Sequence, residues 1–176
     1  MKFYSGFSLK NEEYLFDTFI DHSKYTVCGF SYGAIKAFRY VKEQLKSGKR
    51  VDTLELFSPA FFQTKSDSFK KLQLRGFSKN QNGYLVQFID SCFYPHAKKS
   101  IEQVDATADE LEELLVYEWS VPELQNIVDK GVKIEVYLGG NDKIIDVDAA
   151  KEFFKDVATV TYIKDASHFL QIKSSD

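Results

Sequence analysis

The chain has 176 residues, 44% of them apolar, and a formal net charge of −3. That length suits one domain with a real core, and the apolar share excludes a disordered chain. The acidic balance argues against nucleic acid as the main partner, and no apolar run approaches the about 18 residues a membrane span needs.

Cys28 and Cys92 are too few for a disulfide framework, and Cys28 reads as a small buried hydrophobe. Residues Met1 to Gly6 lack an apolar segment of signal-peptide length. Together these features give the expectation of a soluble cytoplasmic protein. Sixteen Phe and ten Tyr are unusual in one small domain; most must be core, and some could line an acyl or alkyl pocket.

Lys2 to Ser5 reads as a short strand and Gly6-Phe7-Ser8 as its exit loop. Asn11 to Asp21 carries Leu15, Phe16, Phe19 and Ile20 on one stripe, which predicts a helix with Asn11 as N-cap. Tyr25 to Cys28 is β-branched and apolar. Ala34 to Lys46 has helical spacing of Ala34, Ala37, Phe38, Val41 and Leu45, and Gly48 ends it. Val51 to Phe57 is a strand stopped by Ser58-Pro59.

Residues 60–131 contain no convincing strand. Thr107 to Trp119 reads as a helix capped by Thr107 with Glu110. Ser66 to Arg75 and Tyr84 to Phe93 are weaker helical segments. Residues 61–100 carry seven Lys/Arg and two Asp, whereas residues 101–130 carry nine Asp/Glu and one Lys. This stretch is expected to form a helical cap with a basic and an acidic half. Val132 to Leu138 and Thr159 to Ile163 complete the strands, with a helix at Val147 to Val157 between them.

Strands alternating with helices predict an α/β chain with a parallel sheet. The expected division is a core of residues 1–59 and 132–176, with the cap at 60–131 inserted between the third and fourth strands. The central strands alternate apolar and polar residues, unlike parallel strands covered on both faces. One sheet face is therefore expected to be incompletely covered, with Glu55 paired to Lys133 or a second subunit over it.

Between the second strand and its helix lies Gly29-Phe30-Ser31-Tyr32-Gly33. Gly-x-Ser-x-Gly between strand and helix is the signature of a nucleophile elbow. A serine hydroxyl needs a general base, and the base needs an orienting group. His168 follows the last strand, so its loop emerges at the same sheet end as Ser31. His96 sits in the cap. His22 precedes the elbow strand and lies at the opposite end, roughly 15–20 Å away for five strand residues. His168 is therefore the candidate base.

Asp142 follows the strand before the histidine strand and is the candidate acid. Asp146 is its rival, and Asp148 reads as the N-cap of the next helix. The N–H groups of Tyr32 and Phe7 are candidate oxyanion donors. Lys70, Lys71, Arg75 and Lys79 offer a basic face, with Lys36, Arg39, Lys42 and Lys46 on the elbow helix.

With elbow, acid loop and histidine loop in this order, the chain resembles the α/β-hydrolase superfamily. Ser5-Gly6-Phe7 is similar to that family's His-Gly-x oxyanion loop, with Ser5 in place of histidine. Gly139-Gly140-Asn141-Asp142 and Ala166-Ser167-His168 are similar to its acid and histidine loops. The chain departs from the family in length, with about five strands against eight and a final helix cut to Phe169-Leu170-Gln171-Ile172.

Within the superfamily the chain most resembles the atypical pimeloyl-acyl-carrier-protein methyl ester esterases of bacterial biotin synthesis. That resemblance implies a serine carboxylesterase without metal or organic cofactor, acting on a carrier-linked acyl chain. The basic residues of the cap would then steer an acidic carrier. An acyl thioesterase would use the same groups on another bond. A non-catalytic binding protein of the same fold is the reading from another class.

Overall fold

The computed structural model describes residues 1–172. Five parallel strands form the central sheet: β1 (Lys2–Tyr4), β3 (Thr26–Phe30), β4 (Thr53–Phe57), β6 (Lys133–Gly139) and β7 (Thr159–Ile163), in the order β1-β3-β4-β6-β7. A second, two-stranded antiparallel ribbon pairs β2 (Leu9–Lys10) with β5 (Glu102–Gln103). The helices are α1 (Tyr32–Lys46), α2 (Asp67–Lys79), α3 (Gln81–Phe93), α4 (Ala108–Val116), α5 (Val121–Asp129) and α6 (Val147–Phe154).

The register explains the alternation in the strands. Val27, Leu54 and Ile134 are neighbours across β3, β4 and β6, as are Leu56 and Val136. These side chains point to one face, where they join Phe38 and Val41 of α1, Leu124 and Ile127 of α5 and Phe154 of α6 in the main core. Trp119 ties this layer together. Its ring packs on Phe38 and Phe154, and its indole N–H donates to the Ala60 carbonyl at 2.8 Å.

The opposite face carries Cys28, Phe30, Glu55 and Phe57, and its apolar members cluster with Phe16, Phe169 and, from α3, Ile89, Cys92 and Phe93. The helix expected at Asn11–Asp21 is a single 3₁₀ turn, Glu13–Phe16. Asn11 has φ 62° and does not cap it. The left-handed residue turns the chain sharply, so the apolar stripe packs as one tight turn instead of a continuous helix. Phe16 stacks on Phe57 with centroids 4.8 Å apart, and Phe169 stacks on Phe30 at 4.9 Å. Residues Phe169 to Ile172 are not helical.

The chain's own segments 13–20 and 166–171 thus cover β3 and β4, where a second subunit was an alternative. Toward β7 the face stays open, with Thr159 and Thr161 exposed. Glu55 does not pair with Lys133. Glu55 is fully buried, accepts the Asp21 N–H at 3.0 Å and the Cys28 thiol at 3.2 Å, while Lys133 pairs with Glu135. Register sets Glu55 directly opposite Cys28 and Glu135 and only diagonal to Lys133, whose ammonium turns instead to Glu135 on its own strand.

Residues 60–131 contain four helices and β5. The Thr107–Glu110 capping box forms as expected, but α4 ends at Val116 and a separate helix, α5, begins at Val121 behind its Ser120 cap. Here α5 packs beside α1 in the layer over the sheet, whereas α2, α3 and α4 pack on one another and on the loops at the carboxyl ends of the strands. No described helix is long and apolar enough to cross a membrane.

Burial raises the Glu55 carboxyl above its ordinary value, so the folded chain holds this proton more tightly than the unfolded chain. Stability attributable to Glu55 is therefore lost as pH rises from the unfolded carboxylate value, about 4.3, toward the folded one. Glu55→Gln is expected to raise the melting temperature at pH 8 and change it little at pH 4.5, as calorimetry at the two pH values would show. A stabilisation equal at both would contradict the assignment.

Candidate active site

The elbow is built by a collision that only glycine avoids. β3 runs directly into α1, so a Cβ on Gly29 would lie 2.4 Å from the Gly33 carbonyl oxygen, and one on Gly33 would lie 2.0 Å from the Tyr4 carbonyl oxygen. Ser31 sits between them at φ 52° and ψ −115°, a strained conformation for a residue with a side chain. Its backbone is held from both sides: the Ser31 N–H donates to the Phe57 carbonyl at 2.9 Å, and its carbonyl accepts from the Ala34 and Ala60 N–H groups.

Ser31, His168 and Asp142 form one hydrogen-bonded chain. The Ser31 Oγ lies 3.1 Å from His168 Nε2, and His168 Nδ1 lies 2.5 Å from Asp142 Oδ2. A carboxylate accepts only, so Nδ1 carries the proton and Nε2 is left as an acceptor facing the hydroxyl. The other Asp142 oxygen accepts the Ile144 and Ile145 N–H groups at 2.7 and 3.2 Å, which fixes the carboxylate plane. His168 is fully buried. Its ring lies 5.0 Å from that of Phe30, in the aromatic cluster of the second sheet face.

Other candidates fall elsewhere. Asp146, the rival acid, is the N-cap of α6, accepting the Ala149 N–H at 3.1 Å, and it also binds the Thr64 hydroxyl at 3.0 Å. Asp148, expected in that capping role, is the second residue of the helix, in its first turn. His22 is exposed beside Asp17, and His96 Nε2 binds the Asp165 carbonyl at 2.7 Å. The Cys28 thiol is pushed far above its ordinary pKa by burial and by Glu55.

Tyr32 directly follows the nucleophile position, and Phe7 lies in the loop that leaves β1. Tyr32 opens α1, where an N–H has no intrahelical acceptor. The backbone of Tyr4 and Ser5 touches the same first turn at Gly33, which sets the loop bearing Phe7 beside the elbow. The Phe7 ring is buried against Phe77 of α2 and Phe88 of α3. In the sequence Ser58 marks only the end of β4. Its hydroxyl donates to the His168 carbonyl at 2.7 Å, and its φ of 41° aims it there. The Ser-Pro step signals a strand end, and nothing local in it signals this long-range contact.

A cleft of about 290 Å³ opens among α2, α3, α4 and the Asp142 loop, and none of Ser31, Asp142 and His168 lines it. Phe62, Phe69, Phe88, Leu111 and Leu115 supply its apolar wall, and Lys143 and Ile144 of the Asp142 loop close one end. Three of the four elbow-helix cations are paired to the acidic half of residues 60–131. Arg39 and the Tyr32 hydroxyl bind Glu113, Lys36 lies 3.8 Å from Glu110, and Lys42 lies 2.5 Å from Glu123. The acidic half of residues 60–131 therefore pairs with α1. Burial and Glu113 together push the Tyr32 phenol well above its ordinary pKa. Among the described residues Lys70, Lys71, Arg75 and Lys79 of α2 form no ion pair, and Leu72 stands among them 63% exposed.

No family model and no curated protein matches the sequence. Solved structures do match. BioG from Haemophilus influenzae aligns with a TM-score of 0.57 at 12% identity, over 96% of this chain and 87% of that one. A putative hydrolase from Bacillus subtilis aligns at 0.54 and 15% identity, over 82% of this chain and 54% of that one. Naproxen esterase (carboxylesterase NP) from Bacillus subtilis aligns at 0.51 and 18%, over 93% and 61%. The chain thus spans little more than half the length of the two Bacillus subtilis proteins. At these identities the likeness is one of fold, and the fold is a reduced, five-stranded α/β-hydrolase fold.

The elbow contacts predict a steep local cost. Gly33→Ala forces the α1 start off the Tyr4–Ser5 backbone and is expected to destabilise the chain by about 3 kcal/mol, read by urea unfolding. A variant as stable as the parent would contradict the close approach.

Proposed function

We propose that this chain is a serine carboxylesterase. The observation that carries the reading is the buried Asp142–His168–Ser31 hydrogen-bonded chain at a strained elbow. In this reading His168 Nε2 takes the Ser31 proton as Oγ attacks the ester carbonyl. Asp142 holds the His168 tautomer and stabilises its cation. The Phe7 and Tyr32 N–H groups receive the developing oxyanion. The imidazolium then protonates the leaving alcohol, and water activated by the same histidine releases the acid from the acyl-serine. No metal or organic cofactor takes part in these steps. The esterases and hydrolases among the matching folds support this choice of chemistry.

The substrate in this proposal is an ester of a medium-length acyl chain. The apolar cleft beside Phe88 and Ile144 suits such a chain. A carrier-protein-linked chain, such as a pimeloyl methyl ester in biotin synthesis, fits the resemblance of the sequence and the fold shared with BioG. The exposed face of α2 is the proposed carrier-docking surface. Its unpaired Lys71, Arg75 and Lys79 surround Leu72, with Lys70 alongside, a basic patch with an apolar centre. The α1 cations have no share in it.

Hydrolysis of p-nitrophenyl esters from two to twelve carbons is expected to peak at intermediate length. Ser31→Ala should keep the fold and lose turnover by at least about 10⁴-fold, in line with loss of a triad nucleophile. Turnover retained in Ser31→Ala would refute the mechanism. Lys70→Glu with Arg75→Glu should lower kcat/KM on an acyl-carrier-protein methyl ester by about tenfold and leave a short free ester unaffected. An equal loss on both substrates would count against docking on α2.

A further inference from the structure

Glu12 is fully buried, yet no cation lies against it among the described residues. Its Oε1 accepts the Gly6 N–H at 2.7 Å. Its Oε2 is buried without any hydrogen-bond partner. An orphaned buried carboxylate oxygen is costly, and burial raises the Glu12 carboxyl above its ordinary value. A side chain this expensive, six residues from its one strong partner, needs a reason to be there.

The partner supplies the reason. Gly6 immediately precedes Phe7, the proposed oxyanion donor. The Leu9 N–H donates to the Gly6 carbonyl at 3.2 Å, and Ser8 has φ 61°, so residues 6–9 form a tight turn with Phe7 at its first corner. The far side of the turn is fixed by Ser8, whose hydroxyl donates to the Val104 carbonyl at 2.6 Å while its own carbonyl accepts the Val104 N–H at 3.0 Å. The β2–β5 ribbon continues that anchorage. On the near side the Tyr4 and Ser5 backbone rests against Gly33, and the Glu12 carboxyl holds the Gly6 amide that follows. Asn11, at φ 62°, folds the chain back so that the carboxyl returns to the loop it has just left.

We propose that Glu12 is a positioning residue for the oxyanion loop: its Oε1 clamps the Gly6 amide and thereby fixes the plane of the next peptide, whose N–H is that of Phe7. The inference rests on the esterase reading given above. A loop free to rotate here would swing the Phe7 N–H off the oxyanion, and misplacement by about 1 Å costs on the order of 10²-fold in rate. The carboxyl acts as an acceptor, so a neutral amide oxygen can replace it.

The test compares Glu12→Ala, Glu12→Asp and Glu12→Gln with the parent chain on a p-nitrophenyl ester, well below the melting temperature. Alongside it, the Gly6 amide proton resonance is recorded without substrate. Glu12→Ala and the one-carbon-shorter Glu12→Asp should lower kcat by about 10²-fold with KM nearly unchanged, and the Gly6 resonance should shift upfield in both. Glu12→Gln should restore kcat and the Gly6 resonance to near the parent values.

Glu12→Asp and Glu12→Gln carry the test if Glu12→Ala does not fold. The proposal is overturned by parental kcat in folded Glu12→Ala or Glu12→Asp, by equal losses in Glu12→Asp and Glu12→Gln, or by an unmoved Gly6 resonance. A parent chain inactive on every ester overturns the esterase reading instead. The Gly6 resonance then still decides whether Glu12 holds the loop.

Discussion

Everything at the candidate site depends on how closely β3, α1 and the β1 exit loop approach one another. The Gly29–Gly33 contact lets a helix begin directly off a strand, and the Gly33–Tyr4 contact brings the next loop against that helix start. Ser31 is strained because it occupies the corner this approach creates. The strain is sustained by Phe57 and Ala60, at and just beyond the carboxyl end of β4, to which Ser31 bonds through its N–H and its carbonyl. A serine so placed has its hydroxyl fixed beyond the strand ends, where the acid and histidine loops also emerge.

The rest of the fold keeps those loops in place with few residues. The aromatic cluster of Phe16, Phe30, Phe57 and Phe169 replaces the helices that would otherwise cover the second sheet face. It also supports His168, whose ring sits against Phe30 while its carbonyl is held by Ser58. Burying rings at this density contributes apolar area that a short chain cannot obtain from more strands. The high phenylalanine count is therefore largely a structural device, and the cleft claims only a few of the rings. Charge is divided in the same economical way. Glu110, Glu113 and Glu123 hold α4 and α5 to Lys36, Arg39 and Lys42 of α1, whereas among the described residues Lys70, Lys71, Arg75 and Lys79 of α2 form no ion pair.

The parts that were legible in the sequence have local causes. Strands β3, β4, β6 and β7 and helix α1 follow from periodicity and from glycine and proline stops. The Thr107–Glu110 box formed because both partners lie within one turn. The candidate triad members were visible because each follows its own strand, so topology alone gathers them at one sheet end. What stayed hidden depends on distant partners. The 3₁₀ turn at Glu13–Phe16 arises where Asn11 takes a left-handed conformation and Phe16 finds Phe57, neither of which the helical stripe encodes. Glu55 looked like an exposed partner for Lys133 because alternation shows which face a residue occupies and not what covers it. Asp148 reads as the cap of α6, yet Asp146 takes that place, because two aspartates so close together carry the same capping signal. The β2–β5 ribbon joins two-residue strands far apart in sequence, too short to leave a periodic trace.

The central claim is that Ser31 is an activated nucleophile. The most direct measurement is labelling of the folded chain with a fluorophosphonate, followed by peptide mass spectrometry, in parallel with His168→Ala. The account predicts one covalent adduct per chain, located on Ser31, and labelling slowed by orders of magnitude in folded His168→Ala. A folded parent chain that takes up no label, or carries it on another residue, would contradict the account.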